Sequence, residues 1–395
     1  MTRYNFDEII DRSGTHDVKH EALLSLYGRT DLLPLWVADM DFATPPFVLD
    51  AMRRRLDHPI MGYTVFPPAY WQSLIDWLQH QHQWTVKKEW LSYIPGIVKA
   101  IGLVVNALLR PDEKVIIQPP VYHPFRLVPQ GNHREVVFNP LKLSDDGRYE
   151  VDFEQLESVC DEKCRLLILS NPHNPAGQFW PAATLRRLAD FCYEHHITVI
   201  SDEIHCDMPL FGHRHTPFAT VSERAADISI TFQAPTKTFN MAGVVTSFAI
   251  VPNAELRQQF YGWLKANEFE SAHLLAPIAT MAAYSDEGET WRKQLTTYLE
   301  GNVEYVENYC KTSIPQVIAR RPEASYLVWL DCRRLNLNHA ELVDLFVNRA
   351  RLALNDGEMF GPEGAGFMRM NIGVPRQVLH QALQQLAAAV NGLSH

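Results

Sequence analysis

Between residues 114 and 250 the chain repeatedly interrupts itself with short, continuous apolar runs. These are KVIIQ (114–118), REVVF (134–138), RLLILS (165–170), ITVIS (197–201), DISITF (227–232) and VVTSFAI (244–250). Helix-like or loop segments separate them, among them IVKAIGLVVNALL (97–109) ahead of the first and AATLRRLADFCYEHH (182–196) before ITVIS. An uninterrupted apolar strand is one buried on both faces. Strands of this kind alternating with amphipathic helices predict a mostly parallel α/β sheet covered by helices on both sides. That constraint also says where to look for function, because ligands of such sheets bind beyond the carboxyl ends of the strands.

The 395 residues exceed what one core usually serves, so a second domain is expected. The carboxy-terminal part differs in pattern. It is helix-rich from Trp291 to about Cys310, and then carries strand-like SYLVWLD (325–331) and GFMRMNIG (366–373). The expected division is a large α/β domain over 47–286 and a smaller α+β domain over 1–46 plus 287–395. The balance of 36 basic to 46 acidic side chains, net −10, argues against nucleic acid or an anionic membrane as partner. The polar start, MTRYNFDEIIDRSG, has no apolar signal core, and no apolar run approaches the ~20 residues of a membrane span. Six cysteines in so long a chain do not make a disulfide scaffold. The pair in CDEKC (160–164) has no matching Cys or His pair to complete a metal site, so no metal is expected. A cytoplasmic enzyme is the simplest class consistent with these features.

Four strand ends carry unusual residues. NPHNPAG (171–177) follows RLLILS, and its two Asn-Pro steps and glycine shape a loop. DEIH follows ITVIS and brings Asp202 and His205 to a sheet edge. TFQAPTKTFNMAG (231–243) sets a lone lysine, Lys237, among small, apolar and uncharged residues. YIPGIVKAIG (93–102) is a Pro-Gly turn opening a helix whose free amides suit a phosphate. Taken singly, each has an ordinary structural reading: a surface lysine, turn-capping asparagines, a helix N-cap at Asp202, a turn glycine at Gly96, a structural His205. Their order at successive strand ends is what favours a site.

That ordered set, NPHNPAG, SDEIH, APTKTFNMAG and FMRMNIG, with DLLPLWVADMDFATPP near the start and GY at 62–63, closely resembles the fold type I pyridoxal-phosphate enzymes of the class I/II aminotransferase superfamily. More closely it resembles the MalY/PatB-type C–S β-lyases, the subgroup of bacterial cystathionine β-lyases and cystalysin. The resemblance covers nearly the whole chain. It implies a seven-stranded, mostly parallel sheet, the cofactor pyridoxal 5′-phosphate, and a homodimer with shared active sites.

By the same resemblance Lys237 carries the cofactor covalently, as a partly desolvated amine. Asp202 pairs with the pyridine nitrogen, a contact worth ~4 kcal/mol at an effective dielectric near 20. Asn174 bonds the ring's phenolic oxygen and Tyr122 stacks on its face. His205 stands where many relatives place a tyrosine. The phosphate meets the amides of Gly96, Ile97 and Val98 and the hydroxyl of Thr236. The serine and arginine that many aminotransferases carry three residues before and eight after the lysine are here Ala234 and Val245. Tyr63 reaches the neighbouring subunit's phosphate. Arg369 binds the substrate carboxylate, and the segment 37–41, with Asp39, closes over the substrate. The implied reaction is β-elimination on a cysteine S-conjugate, cystathionine-like or a sulfoxide, giving thiol or sulfenate, pyruvate and ammonia. The alternatives are an aminotransferase, or a regulatory protein that keeps the cofactor and a residual activity.

Overall fold

The structure is a computed structural model describing residues 3–393; Met1 and Thr2 of the polar start, and Ser394 and His395, lie outside it. Its centre is a seven-stranded sheet. The strands are β1 (Leu91–Ile94), β2 (Lys114–Ile117), β3 (Glu135–Phe138), β4 (Cys164–Ser170), β5 (Thr198–Asp202), β6 (Ser229–Gln233) and β7 (Ser247–Ile250). They lie in the order β1-β7-β6-β5-β4-β2-β3. β2 through β6 pair in parallel. β7 runs antiparallel to both its neighbours.

Burial explains the unbroken apolar runs. In β4, Leu166 and Ile168 join one hydrophobic cluster, with Ile101, Val105 and Phe232, while Leu167 and Leu169 join another on the opposite face, with Leu185, Leu188 and Val199. Each face therefore demands an apolar residue, and period-two alternation is lost. Two differences from the sequence reading follow from local geometry. LSYI forms an edge strand that the charged KKEW before it masks. Of VVTSFAI only the last four residues are strand, because Val245 sits at φ +53 and turns the chain into β7.

Helix α1 (Ile97–Leu108) leaves β1 through Gly96, whose φ of +99 is a region L side chains rarely adopt. A four-stranded antiparallel sheet is built from Ile318–Arg320, Leu327–Asp331, Phe367–Asn371 and Asn355–Asp356, in that order. It packs with the long helices α2 (Asp286–Ser313) and α3 (Arg376–Asn391). One hydrophobic cluster runs from Phe6 and Phe42 through Leu74 and Trp77 to Leu299 and Leu383, across both boundaries expected from the sequence.

The segment 37–42 crosses the mouth of the large sheet as a strap hung on side chains. Asn240 accepts from the Met40 amide at 2.9 Å and donates to the carbonyls of Met40 (2.9 Å) and Phe42 (2.6 Å). Asn371 donates to the carbonyls of Val37 and Asp39, both at 2.6 Å. Gly373 lies so close that a Cβ there would stand 2.6 Å from Met40 Cγ. Among the described residues no helix is long and apolar enough to cross a membrane.

Candidate active site

A cavity of about 270 Å³ opens at the carboxyl ends of the parallel strands. Asp202 ends β5, Asn174 lies four residues past β4, Lys237 lies four past β6, and all three border it. So do Tyr122, His205, Thr236, Gly96, Ile97 and Val98. The chain thus brings together nine of the residues expected from its sequence.

Lys237 is half-buried, and its ammonium donates to the Ala38 carbonyl at 2.5 Å. Burial pulls its pKa down to about 8, against the opposing charge of Asp39. Asp202 is buried, and its one side-chain hydrogen bond is from the Ile204 amide at 3.1 Å. Among the described residues no cationic side chain lies within ion-pairing distance of it. Burial raises its pKa to about 7, which the Ile204 amide and the charge of Lys237 offset only in part. A buried carboxylate without a cation is costly, so Asp202 stands ready for a positively charged or protonated partner inside the cavity.

This arrangement predicts a pH signature for the cofactor-free chain. Asp202 holds its proton more tightly folded than unfolded, so it favours folding below about pH 4 and that contribution is lost as pH rises through about 7. Lys237 is depressed, so its contribution is lost as pH falls through about 8. Both groups are least favourable near pH 7–8. Cofactor-free Asp202→Asn is expected to be more stable than cofactor-free wild type at pH 8, by on the order of 4 kcal/mol, with the gap closing toward pH 4. Denaturant melts at the two pH values test this, and an equal gap at both would refute it.

Behind Asp202, Glu203 is fully buried and accepts from Ser201 Oγ (2.9 Å), the Phe218 amide (2.9 Å) and Gln233 Nε2 (3.1 Å). It also pairs with His215 Nε2 at 2.8 Å. This ties the end of β5 to β6 and to the loop before residue 218. His205 meets Ser325 Oγ at 2.9 Å through Nδ1 and lies edge-on to Tyr326. Burial, with the charges of Lys237 and Arg369, keeps its imidazole neutral. The Tyr326 hydroxyl donates to the same Ala38 carbonyl as Lys237, at 2.8 Å. Glu203, Ser325, Tyr326 and Ala38 escape a reading of strand ends. The serine and tyrosine lie just before the strand Leu327–Asp331, in a run that reads as core, and a backbone carbonyl has no residue signature.

Arg369 lies behind Asn174. Its Nη1 donates to Asn174 Oδ1 at 2.9 Å, and its Nη2 to the Trp36 carbonyl (3.1 Å) and Asn355 Oδ1 (2.5 Å). Its Nε is buried with no partner, and no carboxylate among the described residues pairs with it. Burial lowers its pKa to about 10, so it stays charged at neutral pH. An uncompensated guanidinium beside the cavity suits an incoming carboxylate.

One expectation changes. The Gly96 amide already donates to Ser247 Oγ (2.9 Å) and the Ile94 carbonyl (3.0 Å), so the free amides at the start of α1 are those of Ile97, Val98 and Lys99. The Asp39 carboxylate is already engaged by cations. Arg12 holds both its oxygens at 3.0 Å, with Lys19 at 3.7 Å, and it borders a neighbouring cleft of about 710 Å³. Tyr63 is outside the cavity and fully exposed, in a stretch with exposed Ile60, Met61 and Val65. Further off, His82, Cys206 and Asp207 stand close enough to share an ion, but the Asp207 carboxylate already accepts from His82 Nε2 and Trp77 Nε1, both at 2.9 Å.

The family model described as aminotransferase class I and II matches residues 30–386. The chain is 42% identical over 388 residues to the cystathionine β-lyase PatB of Bacillus subtilis, covering 98% of this chain and 100% of that protein. Its fold is similar to cystalysin from Treponema denticola, a structure containing pyridoxal 5′-phosphate, with a TM-score of 0.94, 30% identity and full coverage of both chains. It is also similar to the PLP-bound C–S lyase of Staphylococcus hominis, with a TM-score of 0.90, 35% identity and 98% of each chain covered.

Proposed function

The chain belongs to the class I and II aminotransferase family, and from that premise we propose that it is a pyridoxal-phosphate-dependent carbon–sulfur β-lyase acting on cysteine S-conjugates. The observation that carries the reading is the pair of uncompensated buried charges flanking Lys237. Asp202 lacks a cation and Arg369 lacks an anion, and a ring nitrogen and a substrate carboxylate supply these two partners. The cavity's residues fit the cofactor. Lys237 would anchor it, Asp202 would hold its pyridine nitrogen, and Asn174, whose Nδ2 has no partner among the described residues, its phenolic oxygen. Tyr122 would cover the ring, and the Ile97 and Val98 amides with Thr236 would take the phosphate. Bound there, pyridoxal phosphate supplies an electron sink conjugated to the substrate's Cα.

The chain's own groups do the rest. Arg369 fixes the α-carboxylate, and so turns the Cα proton toward the Lys237 amine. That amine, held by the Ala38 carbonyl and with a pKa near 8, takes the proton at neutral pH and can give it up again. Asp202, whose pKa burial raises to about 7, would ionise fully beside a cationic ring nitrogen and hold the proton there. The buried, neutral His205 adds no charge to this balance. The strap over residues 37–42 covers the amine on one side through the Ala38 carbonyl. A β-sulfur leaving group would then depart as thiolate or sulfenate.

Cystathionine-like conjugates and cysteine sulfoxides are the proposed substrates, with thiol or sulfenate, pyruvate and ammonia as products. Residues 47–286 form the cofactor domain on this reading, and 1–46 with 287–395 the covering domain, which carries Arg369 and the strap. The working form is a cytoplasmic homodimer in which Tyr63, exposed with its apolar neighbours, meets the partner's phosphate site; a one-chain molar mass in solution would overturn that assembly. Incubation with cystathionine, S-alkylcysteine and a cysteine sulfoxide should release pyruvate and ammonia in equal amounts, with thiol from the first two. Rapid glutamate formation from amino acids and 2-oxoglutarate, without pyruvate from the conjugates, would instead establish an aminotransferase.

A further inference from the structure

The phosphate end of the cavity has amides but little charge. Ala234 and Val245 border it without a polar side chain, and a Cβ on Gly96 would lie 3.7 Å from Val245 Cγ1, so an apolar group fills the space beside the helix start. Among the described residues two cationic side chains border the cavity, Lys237 and Lys99. Lys237 is engaged by the Ala38 carbonyl.

Lys99 occupies the third position of α1, at the positive end of the helix dipole, where a cation is disfavoured. No acidic residue stands in that first turn, and no carboxylate among the described residues pairs with it. The amides of Ile97, Val98 and Lys99 point the same positive potential outward. A second observation marks this end as built for an acceptor-rich ligand. Thr236 is more than nine-tenths buried, borders the cavity, and its hydroxyl has no partner among the described residues. Lys99 is exposed at the rim, where solvent carries its charge until an anion arrives, and then amides, hydroxyl and ammonium act on it together.

We propose that Lys99 supplies the counter-charge for the cofactor's phosphate in this chain. The assignment rests on the pyridoxal-phosphate reading above, and concerns binding of the phosphate rather than the chemistry at Cα.

The test compares wild type, Lys99→Met and Lys99→Arg by titrating cofactor-free protein with pyridoxal phosphate and, separately, with pyridoxal, which lacks the phosphate. Lys99→Met should weaken pyridoxal phosphate about ten-fold and leave pyridoxal unchanged, while Lys99→Arg stays near wild type. Inorganic phosphate should slow cofactor uptake by wild type more than by Lys99→Met. Unchanged affinity for pyridoxal phosphate in Lys99→Met, or equal weakening of both ligands, would overturn the assignment while leaving the lyase reading intact. A wild type that takes up neither ligand would instead sink the lyase reading, and this assignment with it.

Discussion

Lys237→Ala is expected to lower β-elimination by about 10⁴-fold or more. The size follows from the two tasks that meet in one atom. On the proposed reading Nζ is both the anchor for the cofactor and the proton carrier at Cα. Burial, helped by the charge of Arg369 and opposed by those of Asp39 and Asp202, brings its pKa to about 8, so some neutral amine is available near neutral pH. No other lysine among the described residues enters the cavity beyond its rim, where Lys99 is exposed. Borohydride treatment of the yellow wild-type protein should fix the cofactor to the peptide containing Lys237, and the Ala variant should release it on denaturation. A label found on another lysine, or a variant with a tenth of wild-type turnover, would remove Lys237 from the centre of the mechanism. The variant should fold, since the truncation removes a half-buried cation whose desolvation is unfavourable.

The second large effect is expected at Arg369. Replacing it with lysine keeps the charge but loses the planar fork. Three acceptors, Asn174 Oδ1, Asn355 Oδ1 and the Trp36 carbonyl, then compete for one ammonium. Leaving buried acceptors unpaired costs about 1–3 kcal/mol each, and the two-pronged hold on a carboxylate is gone. We expect kcat/KM to fall about 10²- to 10³-fold in Arg369→Lys, chiefly through KM, because the α-carboxylate contact is made equally in the bound substrate and in the transition state. Steady-state kinetics on one conjugate separate the parameters. A variant within three-fold of wild type in kcat/KM would place the carboxylate elsewhere, and an effect on kcat alone would make Arg369 a positioning residue.

The parallel sheet was legible because burial on both faces writes itself as continuous apolar runs, as Leu166 to Leu169 illustrate. Strand direction is not written that way. The antiparallel β7 reads like its neighbours, and what reverses it is the turn at Val245. In the site, a lone aspartate and a lone lysine stand out at strand ends because a buried ionisable group is expensive without a use. The ion pairs of Asp39 are the harder case. Its carboxylate has a use, but its partner Arg12 lies 27 residues away in an irregular segment that no periodicity marks. Gly96 announces the turn correctly, while its amide is already spent on Ser247, a side chain that a local reading does not bring near.

The two asparagines that suspend the strap touch only its main chain. Asn240 binds the amide and carbonyl of residue 40 and the carbonyl of 42, and Asn371 binds the carbonyls of 37 and 39. A support that grips peptide groups is indifferent to what the peptide displays. Met40 and Phe42 are fixed by the core beneath them, but Val37 and Ala38 are only half-buried and turn toward the clefts. Substitutions at those two positions therefore reshape the entrance while the amine below keeps its carbonyl. The floor of this enzyme can stay constant while its doorway is re-cut, one side chain at a time, to admit different sulfur compounds.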